Sequence, residues 1–377
     1  MRNKLLTALF PLTLIAASCG AGAAGDRAKP ITTEVRDAFK VEVLGTFDQP
    51  WAMAVLPRGT NIIVTEKAGN LKHWNGTRIE ATLALHQIDY GGQGGLGDVV
   101  LAPDFEESGL LYLSWAEAGG NGTRGAVVAR GQVDKDGLAW NKPEIIWRQS
   151  PKVTGRGHYS HRIAISPDGK YLYVASGDRQ KFVPAQDLSN NLGKVLRLNL
   201  DGTPAAGNPF AEKGGISGEI WSYGHRNILG LQFDAEGRLW ALEHGPAGGD
   251  ELNLIKPGQN YGWPLVSDGD HYDGKPIPRH AARPDLAAPA ISWNPVIAPG
   301  DFIFYSGKMW PEWKGQALIA ALGTGGLVRV GIEGEKAFEA ARYPLGKRIR
   351  AIREASDGSL YVLEDGSGGR LLRLSRK

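Results

Sequence analysis

The sequence predicts an all-β protein in the form of a six-bladed β-propeller. Glycine accounts for 52 of the 377 residues, about twice its usual share of roughly 7%, which indicates a chain with many turns. Short runs rich in Val, Ile, Leu, Tyr and Trp recur, each introduced by a turn of Pro, Asp or Gly, and no long helix is indicated. This turn-and-strand unit appears six times, at residues 56–64, 102–113, 166–174, 234–241, 313–320 and 356–363.

The spacing of these units favours one architecture. Successive units start roughly 45 to 80 residues apart, which suits propeller blades with insertions better than a solenoid of fixed period. A pair of β-sandwiches is the alternative, because turn-bounded strands alone do not fix the topology. The longest stretch without a repeated unit, residues 258–301, is rich in Pro, Asp, Trp and Tyr, and long loops in compact folds are usually functional.

The N-terminus has the layout of a secretory signal peptide. Arg2 and Lys4 precede an apolar stretch that is too short to span a bilayer, and small residues follow as far as residue 25. We therefore expect residues 1–25 to be a signal peptide and residues 26–377 to form one exported, periplasmic domain. Cleavage near residues 21–23 is favoured, and the alternative is a lipoprotein signal ending before Cys19, whose lipid would anchor the protein to the outer membrane.

Charge and cysteine content exclude several classes of function. Loss of Arg2 and Lys4 with the signal peptide lowers the formal net charge by two, from +3 to +1. A nucleic-acid partner, which requires a dense basic face, is therefore not expected. The single cysteine can form neither an intramolecular disulfide nor a thiolate metal site.

Two histidines stand directly before an apolar strand, in the segment Gly-Arg-Gly-His-Tyr-Ser-His-Arg at residues 155–162. In an extended segment, the separation between His158 and His161 points the two imidazoles to opposite faces, so they are poor joint ligands of one metal. The pattern leaves two interpretations open. One histidine serves as a base, or it is a surface histidine hydrogen-bonded in a turn.

Two further segments carry polar groups next to glycine. Arg226 and Asn227 follow a strand, where they could offer fixed donors to a carboxylate, a quinone oxygen or an oxyanion, or where the arginine could satisfy loop carbonyls. Residues 245–253 are glycine-rich and include Asp250 and Glu251. Oxygen ligands of this kind suit calcium, and the alternative is an acidic turn.

Two segments suggest contacts to an anionic or closely approaching ligand. Arg348 and Arg350 share one face of a strand and could clamp one polyanionic ligand, although a basic edge strand that discourages aggregation gives the same pattern. Gln93 lies in the glycine-rich loop 91–97, where the backbone can come close to a ligand. This is not a nucleotide loop, because the lysine of the phosphate-binding motif is absent.

Taken in this order, these segments resemble the soluble pyrroloquinoline quinone (PQQ)-dependent sugar dehydrogenases, in particular the aldose sugar dehydrogenase branch. The similarity runs from about Gln49 to the C-terminus and depends on five motifs in the family's order. The resemblance implies a six-bladed β-propeller that binds PQQ and calcium and oxidises aldose sugars at C1 to aldonolactones. It also implies an electron acceptor of unspecified identity, with the protein a monomer or a homodimer.

The resemblance assigns roles to residues whose motifs match the family. The catalytic residues would be His158 as general base with hydride transfer to PQQ, Asp178 as its acidic partner, and Arg226. The PQQ contacts would be Gln93, Arg226, Asn227, Tyr272, Arg348 and Arg350. The calcium ligands would be the carbonyls of Gly245 and Pro246 for the ion that holds PQQ, with Glu251 and Tyr261 for a further ion.

The chain departs from the family at one cofactor contact. Relatives carry a lysine after Ala-Leu, whereas residues 321–326 read Ala-Leu-Gly-Thr-Gly-Gly. We expect either a lower affinity for PQQ or substitution by the local backbone, and His161 stands where relatives carry a small residue. Two other classes of function stay open on the sequence: a calcium-dependent lactonase-type propeller hydrolase and a non-catalytic extracytoplasmic ligand-binding propeller.

Overall fold

The computed structural model describes residues 38–57, 61–133 and 139–377, and these residues form six antiparallel sheets of four strands each. The predicted signal peptide and Cys19 lie outside the described residues, so export and lipid anchoring stay predictions. Within the described part of the chain, no helix is long and apolar enough to cross a membrane.

Each sheet is one blade, in which the first-named strand is innermost and the last-named strand is outermost. Blades 1 to 3 contain β2 (Pro50–Val55), β3 (Ile62–Glu66), β4 (Asn70–Trp74) and β5 (Ile79–Ala84); β6 (Leu96–Leu101), β7 (Leu110–Ala118), β8 (Arg124–Val133) and β9 (Trp140–Arg148); and β10 (Ser160–Ile165), β11 (Tyr171–Ser176), β12 (Lys194–Asn199) and β13 (Ile220–Tyr223). Blades 4 to 6 contain β14 (Ile228–Phe233), β15 (Leu239–Glu243), β16 (Asp250–Ile255) and β17 (Ile291–Trp293); β18 (Pro299–Phe304), β19 (Ala317–Ala321), β20 (Gly326–Glu333) and β21 (Lys336–Pro344); and β22 (Ile349–Glu354), β23 (Leu360–Glu364), β24 (Ser367–Ser375) and β1 (Lys40–Asp48). The helical segments are the short helix α1 (Phe105–Ser108) and 3-10 turns at Gly120–Gly122, Val183–Gln186, Ala211–Lys213, Gly215–Glu219, His280–Ala282 and Pro311–Trp313.

The blades close into a ring around a central axis. The first strand of each blade contacts the first strands of both neighbouring blades, from β2 through β22 and back to β2. The N-terminal strand β1 pairs antiparallel with β24, from Lys40 opposite Ser375 to Asp48 opposite Ser367, so the last blade contains both ends of the described chain. The prediction of an all-β six-bladed propeller is confirmed, and the sandwich alternative is wrong.

The repeated sequence unit corresponds to the same element in every blade. Each predicted unit ends in a second strand, and these strands are almost entirely buried: β3, β7, β11, β15, β19 and β23. A second strand is covered on both faces by the neighbouring blades, which explains its continuous apolar run rather than an alternating pattern. The turn of the first unit includes residues 58–60, which lie outside the described residues.

The hydrophobic core is divided among the blade interfaces. Six large clusters of buried side chains occur in the described chain, one between each pair of adjacent blades. Between blades 4 and 5, for example, the fully buried Trp240 and Phe302 belong to one cluster. Because both faces of a blade are covered in this way, the ring is stabilised by burial of apolar surface between blades.

All six first strands are irregular near their starts. A shift in pairing with the second strand occurs in each, between Pro50 and Ala52, Leu96 and Val99, Ser160 and Ile163, Ile228 and Gly230, Pro299 and Asp301, and Ile349 and Ala351. Such bulges change the direction in which side chains point. They lie at one face of the ring, where the loops before first strands and after second strands meet.

Candidate active site

A cavity of about 310 Å³ lies at this bulged face of the ring, and all six blades contribute to its wall. Its lining includes Gln49, Trp51, Lys67, Gln93, Ser160, His161, Asn227, His244, Leu322, Arg348, Arg350 and Asp365. Four of the residues predicted as cofactor contacts therefore line the same cavity: Gln93, Asn227, Arg348 and Arg350. We call this space the central cavity.

His158 lies beside the central cavity and is bonded to a buried acid. Its Nδ1 is 2.7 Å from Oδ1 of Asp178, whose side chain is fully buried. The other carboxylate oxygen, Oδ2, accepts a hydrogen bond of 2.7 Å from the indole N–H of Trp263. An ionised carboxylate can only accept hydrogen bonds, so Nδ1 of His158 is the donor and carries the proton. Nε2 is then left as a free base.

The backbone around His158 is held in an unusual conformation. His158, Ser160 and His161 have φ angles of 49°, 57° and 53°, in the left-handed region that non-glycine residues rarely adopt. The backbone N–H of His158 donates to Oε1 of Gln93 at 2.7 Å. The segment is therefore not extended, and Gln93 contributes to fixing the position of His158.

The environment of His158 keeps its imidazole neutral near pH 7. Burial lowers the pKa of His158 below 6.5, and the positive charge of Arg226 lowers it further. The hydrogen bond and the charge of Asp178 act in the opposite direction and only partly offset burial. A neutral imidazole whose Nδ1 is hydrogen-bonded to a carboxylate is suited to act as a general base.

Arg226 links the surroundings of the His158–Asp178 pair to the loop that follows β15. Its backbone N–H donates to Oε2 of Glu243 at 2.8 Å, and its guanidinium donates to the carbonyl of His244 at 3.1 Å. The same guanidinium lies over the ring of Trp263, 5.2 Å from the ring centre, and donates to the hydroxyl of the largely exposed Tyr272 at 3.3 Å. Its Nε is buried and has no hydrogen-bond partner among the described residues.

Asn227, next in the chain, lies between the cavity and the bulge of blade 3. Its side chain is almost fully buried, and Oδ1 accepts a bond of 3.4 Å from the hydroxyl of Ser160. The Ser160 hydroxyl in turn accepts a bond of 2.9 Å from the backbone N–H of Ile228. Ser160 thus fixes the Asn227 amide at the cavity wall.

The two arginines of blade 6 share one carboxylate. Nε of Arg348 donates to Oδ2 of Asp365 at 2.9 Å, and Nε of Arg350 donates to Oδ1 at 2.8 Å. The prediction that both guanidiniums lie on one side of the strand agrees with this geometry. Since a single carboxylate faces two guanidinium groups, this wall of the cavity carries a net positive charge.

The four predicted calcium ligands line a second, smaller pocket. Gly245, Pro246, Glu251 and Tyr261 surround it together with Arg226 and His244. No backbone N–H among the described residues is hydrogen-bonded to the carbonyl oxygens of Gly245 and Pro246. The phenol of Tyr261 is occupied, because it donates to the carbonyl of Leu254 at 2.5 Å, so an ion would contact the Tyr261 carbonyl, which Nε2 of His280 also approaches at 3.5 Å.

A pair of buried carboxylates lies at the wall of this smaller pocket. Glu243 and Glu251 are directly opposite each other on β15 and β16. Burial and the negative charge of Glu243 raise the pKa of Glu251 to about 8. Oδ1 of the neighbouring Asn253 is buried without a hydrogen-bond partner among the described residues. These features fit a bound cation, which would compensate both carboxylates and give Asn253 a partner.

Side chains alone do not form a metal site here. Across residues 38–57, 61–133 and 139–377, no three His, Cys, Asp or Glu side chains converge on one point. A metal ion at the smaller pocket would therefore also require backbone carbonyl ligands. Calcium accepts such ligands readily, whereas zinc and copper prefer nitrogen and sulfur.

His161 is a neutral part of the cavity wall. Burial and nearby arginines lower the pKa of His161 to about 3. Its ring stacks on Trp51 with centres 5.0 Å apart, and its Nδ1 is 2.8 Å from the hydroxyl of Ser114. A Cβ atom at Gly97 would lie 1.9 Å from the His161 ring, so glycine is required there for this histidine to fit.

Several residues of the site were not identified from the sequence, and three of them contact or line the cavities described above. Trp263 carries the bond to Asp178, His244 lies between the two pockets, and Lys67 contributes an ammonium group to the central cavity. Trp263 belongs to the long stretch 258–301, which was expected to be functional, so this signal was available. His244 and Lys67 follow second strands directly, and that position at the end of a blade's second strand could have identified them.

Comparisons with known proteins agree with this geometry. The family model for Glucose / Sorbosone dehydrogenase matches residues 47–373. The aldose sugar dehydrogenase YliI of Escherichia coli (strain K12) is 38% identical over 346 residues, which cover 89% of this chain and 92% of that protein.

Solved structures show the same similarity. The apo-form crystal structure of the soluble aldose sugar dehydrogenase of Escherichia coli superposes with a TM-score of 0.84 at 36% identity, covering 90% of this chain and all of that one. The PQQ-bound aldose sugar dehydrogenase of Streptomyces coelicolor gives a TM-score of 0.71 at 26% identity, covering 90% of this chain and 99% of that one. The resemblance drawn from the sequence motifs is confirmed, and the chain belongs to the glucose/sorbosone dehydrogenase family of oxidoreductases.

Proposed function

We propose that the protein oxidises aldose sugars at C1 to aldonolactones with PQQ and calcium as cofactors. The observation that carries the proposal is the His158–Asp178 pair, a neutral imidazole with a free Nε2, beside a cavity lined by arginines. PQQ, when bound, supplies the o-quinone that accepts the hydride from C1 of the sugar. The PQQ-bound relative from Streptomyces coelicolor supports this choice of cofactor.

In this proposal His158 is the general base. Its Nε2 takes the proton of the C1 hydroxyl while the C1 hydrogen leaves with its electron pair, so that the ring carbon becomes a lactone carbonyl. Asp178 keeps Nδ1 protonated and stabilises the imidazolium that forms. Trp263 and the backbone N–H of Gln180, at 2.8 Å from Oδ1, hold the carboxylate in place.

The positive wall of the central cavity suits the three carboxylates of PQQ. We assign Arg348 and Arg350 to bind them, because Asp365 balances only one of the two cations. Gln93 and Asn227 line the same cavity from other blades, and Arg226 approaches from the smaller pocket with an unpaired N–H. We assign Tyr272, which is exposed and accepts a hydrogen bond from Arg226, to contact the ligand from the solvent side.

Calcium is assigned to the smaller pocket on the chemistry of its oxygen atoms. The carbonyls of Gly245 and Pro246 would hold one ion next to the central cavity, and Glu251 with the carbonyl of Tyr261 would hold a further ion. The raised pKa of Glu251 and the unpaired Asn253 oxygen support a cation at the second position. An ion at the first position would act as a Lewis acid on a bound ligand.

A four-way reconstitution assay tests the proposed function. The purified chain, stripped with a chelator, is given nothing, PQQ, Ca²⁺ or both, and is assayed with D-glucose and an artificial electron acceptor and, in parallel, for hydrolysis of glucono-δ-lactone. We expect glucose oxidation only with both cofactors and no lactone hydrolysis in any mixture. Lactone hydrolysis with Ca²⁺ alone, without glucose oxidation, would instead support a lactonase-type hydrolase.

A further inference from the structure

Lys67 places an ammonium group in the central cavity from blade 1. It follows β3 directly, and its backbone is fixed on both sides. Its N–H donates to the carbonyl of Gln49 at 3.1 Å, and its carbonyl accepts from the N–H of Leu96 at 2.9 Å. A Cβ atom at Gly95 would lie 2.4 Å from the Lys67 carbonyl oxygen, so the glycine loop packs tightly against this residue. The position of Lys67 is therefore determined by the fold and not by its side chain.

The charges at the cavity are unbalanced around Lys67. Three cations line the wall, Lys67, Arg348 and Arg350, and Asp365 is the carboxylate that lines it with them. Asp365 already accepts hydrogen bonds from both arginines. Nζ of Lys67 has one hydrogen bond within the described chain, of 2.9 Å to the carbonyl of Gly92, whereas an ammonium group has three N–H donors.

The burial of Lys67 adds a cost that an anionic ligand would remove. Burial lowers the pKa of Lys67, and the positive charge of Arg350 lowers it further, while Asp365 raises it. An ammonium group that is beside an arginine and partly removed from water gains from a negative partner. A carboxylate in the cavity would provide that partner.

Among the residues that the structure describes, blade 5 contributes no cationic side chain to the lining of the central cavity. Leu322 faces the cavity, and the turn that follows it, residues 323–326, is Gly-Thr-Gly-Gly. The N–H groups of Leu322 and Gly323 are bonded to the carbonyls of Ala298 and Ile297 at 2.8 Å each, so they are not free to bind a ligand. One expectation from the sequence was that the local backbone substitutes for the missing lysine. The N–H groups of these two residues are not free to do so.

We propose that Lys67 binds a carboxylate of PQQ and supplies from blade 1 the cation that residues 321–326 lack. The proposal rests on the proposed function, because it concerns the same cavity and the same cofactor. Its competitor is a purely structural role, in which Lys67 ties the loop of Gly92 and Gln93 to blade 1 through the Gly92 carbonyl. The two differ in whether the charge of the side chain matters or only its N–H donor.

Equilibrium binding of PQQ to the purified, calcium-loaded chain distinguishes the two roles of Lys67. Binding is measured by the quenching of tryptophan fluorescence. Lys67→Gln removes the charge and keeps an N–H donor, and Lys67→Arg keeps the charge. Lys72→Gln, on β4 of the same blade and outside the cavity lining, is the control for loss of one positive charge. We expect Kd to rise at least about tenfold in Lys67→Gln and to change little in Lys67→Arg and Lys72→Gln. Raising the salt concentration should shrink the difference between wild type and Lys67→Gln.

Each other outcome has a defined meaning. If the unmodified chain does not bind PQQ, the proposed function fails and this inference fails with it. If the unmodified chain binds PQQ and Lys67→Gln binds it equally well, or with a salt-independent loss shared by Lys67→Arg, Lys67 has a structural role and only this inference is overturned. Thermal melts of the variants without PQQ check that a lost affinity does not reflect lost folding.

Discussion

Replacing His158 by glutamine is expected to lower kcat for aldose oxidation by about a thousandfold, within the range that a positioned general base contributes. The variant loses the free Nε2 that takes the hydroxyl proton, while Gln93 still holds the backbone of this residue through its N–H. The measurement is the steady-state kcat of the reconstituted protein with an artificial electron acceptor. PQQ binding, followed separately, should be nearly unchanged.

The exposed His86 provides the matched control, since His86→Gln makes the same substitution away from the site and should leave kcat unaltered. Full turnover in His158→Gln would show that the assigned base is wrong. The pH dependence gives an independent check. Because burial lowers the pKa of His158 from its usual range, kcat/KM should fall on acidification at a lower pH than it would for an ordinary histidine base.

Calcium is expected to raise the melting temperature of the chelator-treated protein, and to raise it more at pH 8 than at pH 5. The pKa of Glu251 is raised from 4.5 to about 8 in the folded state, so without metal the folded chain holds a proton that the unfolded chain loses above pH 4.5. The free energy of unfolding then falls as pH rises above about 4.5, because the folded state binds a proton that the unfolded state has lost. Calcium binds the deprotonated carboxylates and opposes this loss.

Glu251→Gln identifies the group responsible for the pH dependence. The variant cannot ionise at this position, so the decline in stability with pH should flatten and the shift produced by calcium should shrink. Glu236→Gln, at an exposed residue on the turn after β14, is the control and should behave as the unmodified chain. Thermal melts at pH 5 and pH 8 with and without Ca²⁺ supply the data. An undiminished calcium shift in Glu251→Gln would place the ion elsewhere.

The fold could be predicted because one strand of each blade has a sequence pattern that reflects its burial. The second strands are covered on both faces, so each appears as an unbroken apolar run after a tight turn, and six such runs specify six blades. The pairing of β1 with β24 has no comparable local signal, since it joins residues more than 300 positions apart. It depends on the geometry of the closed ring.

The site could be predicted only where its residues lie in recognisable segments. His158, Asp178 and Gln93 were identified in this way, and the structure brings them together. The argument that separates His158 from His161 holds only for an extended segment, and a bulge in β10 and left-handed residues turn this one, which no pattern of residue types revealed. The position of Lys67 after a second strand marks it as a candidate, but its approach to blade 6 depends on the closure of the ring.

The carboxylate pair shows a further limit of the sequence. Glu251 was selected from its acidic, glycine-rich loop, but Glu243 lies eight residues earlier in an apolar strand and gave no signal. The register of β15 and β16 places the two opposite each other, and their mutual repulsion follows from that register. The indication of a bound cation therefore comes from the pairing of these two strands, which the sequence alone does not show.

The most direct test of the proposed chemistry is a single turnover without any electron acceptor. The purified chain is loaded with PQQ and Ca²⁺ and mixed with an aldose carrying either hydrogen or deuterium at C1, and the absorbance of the cofactor is followed. We expect reduction of the cofactor with formation of one aldonolactone per site, slower with deuterium than with hydrogen. Bound PQQ that keeps its oxidised spectrum after addition of a series of aldoses would show that this chain does not oxidise aldoses through PQQ.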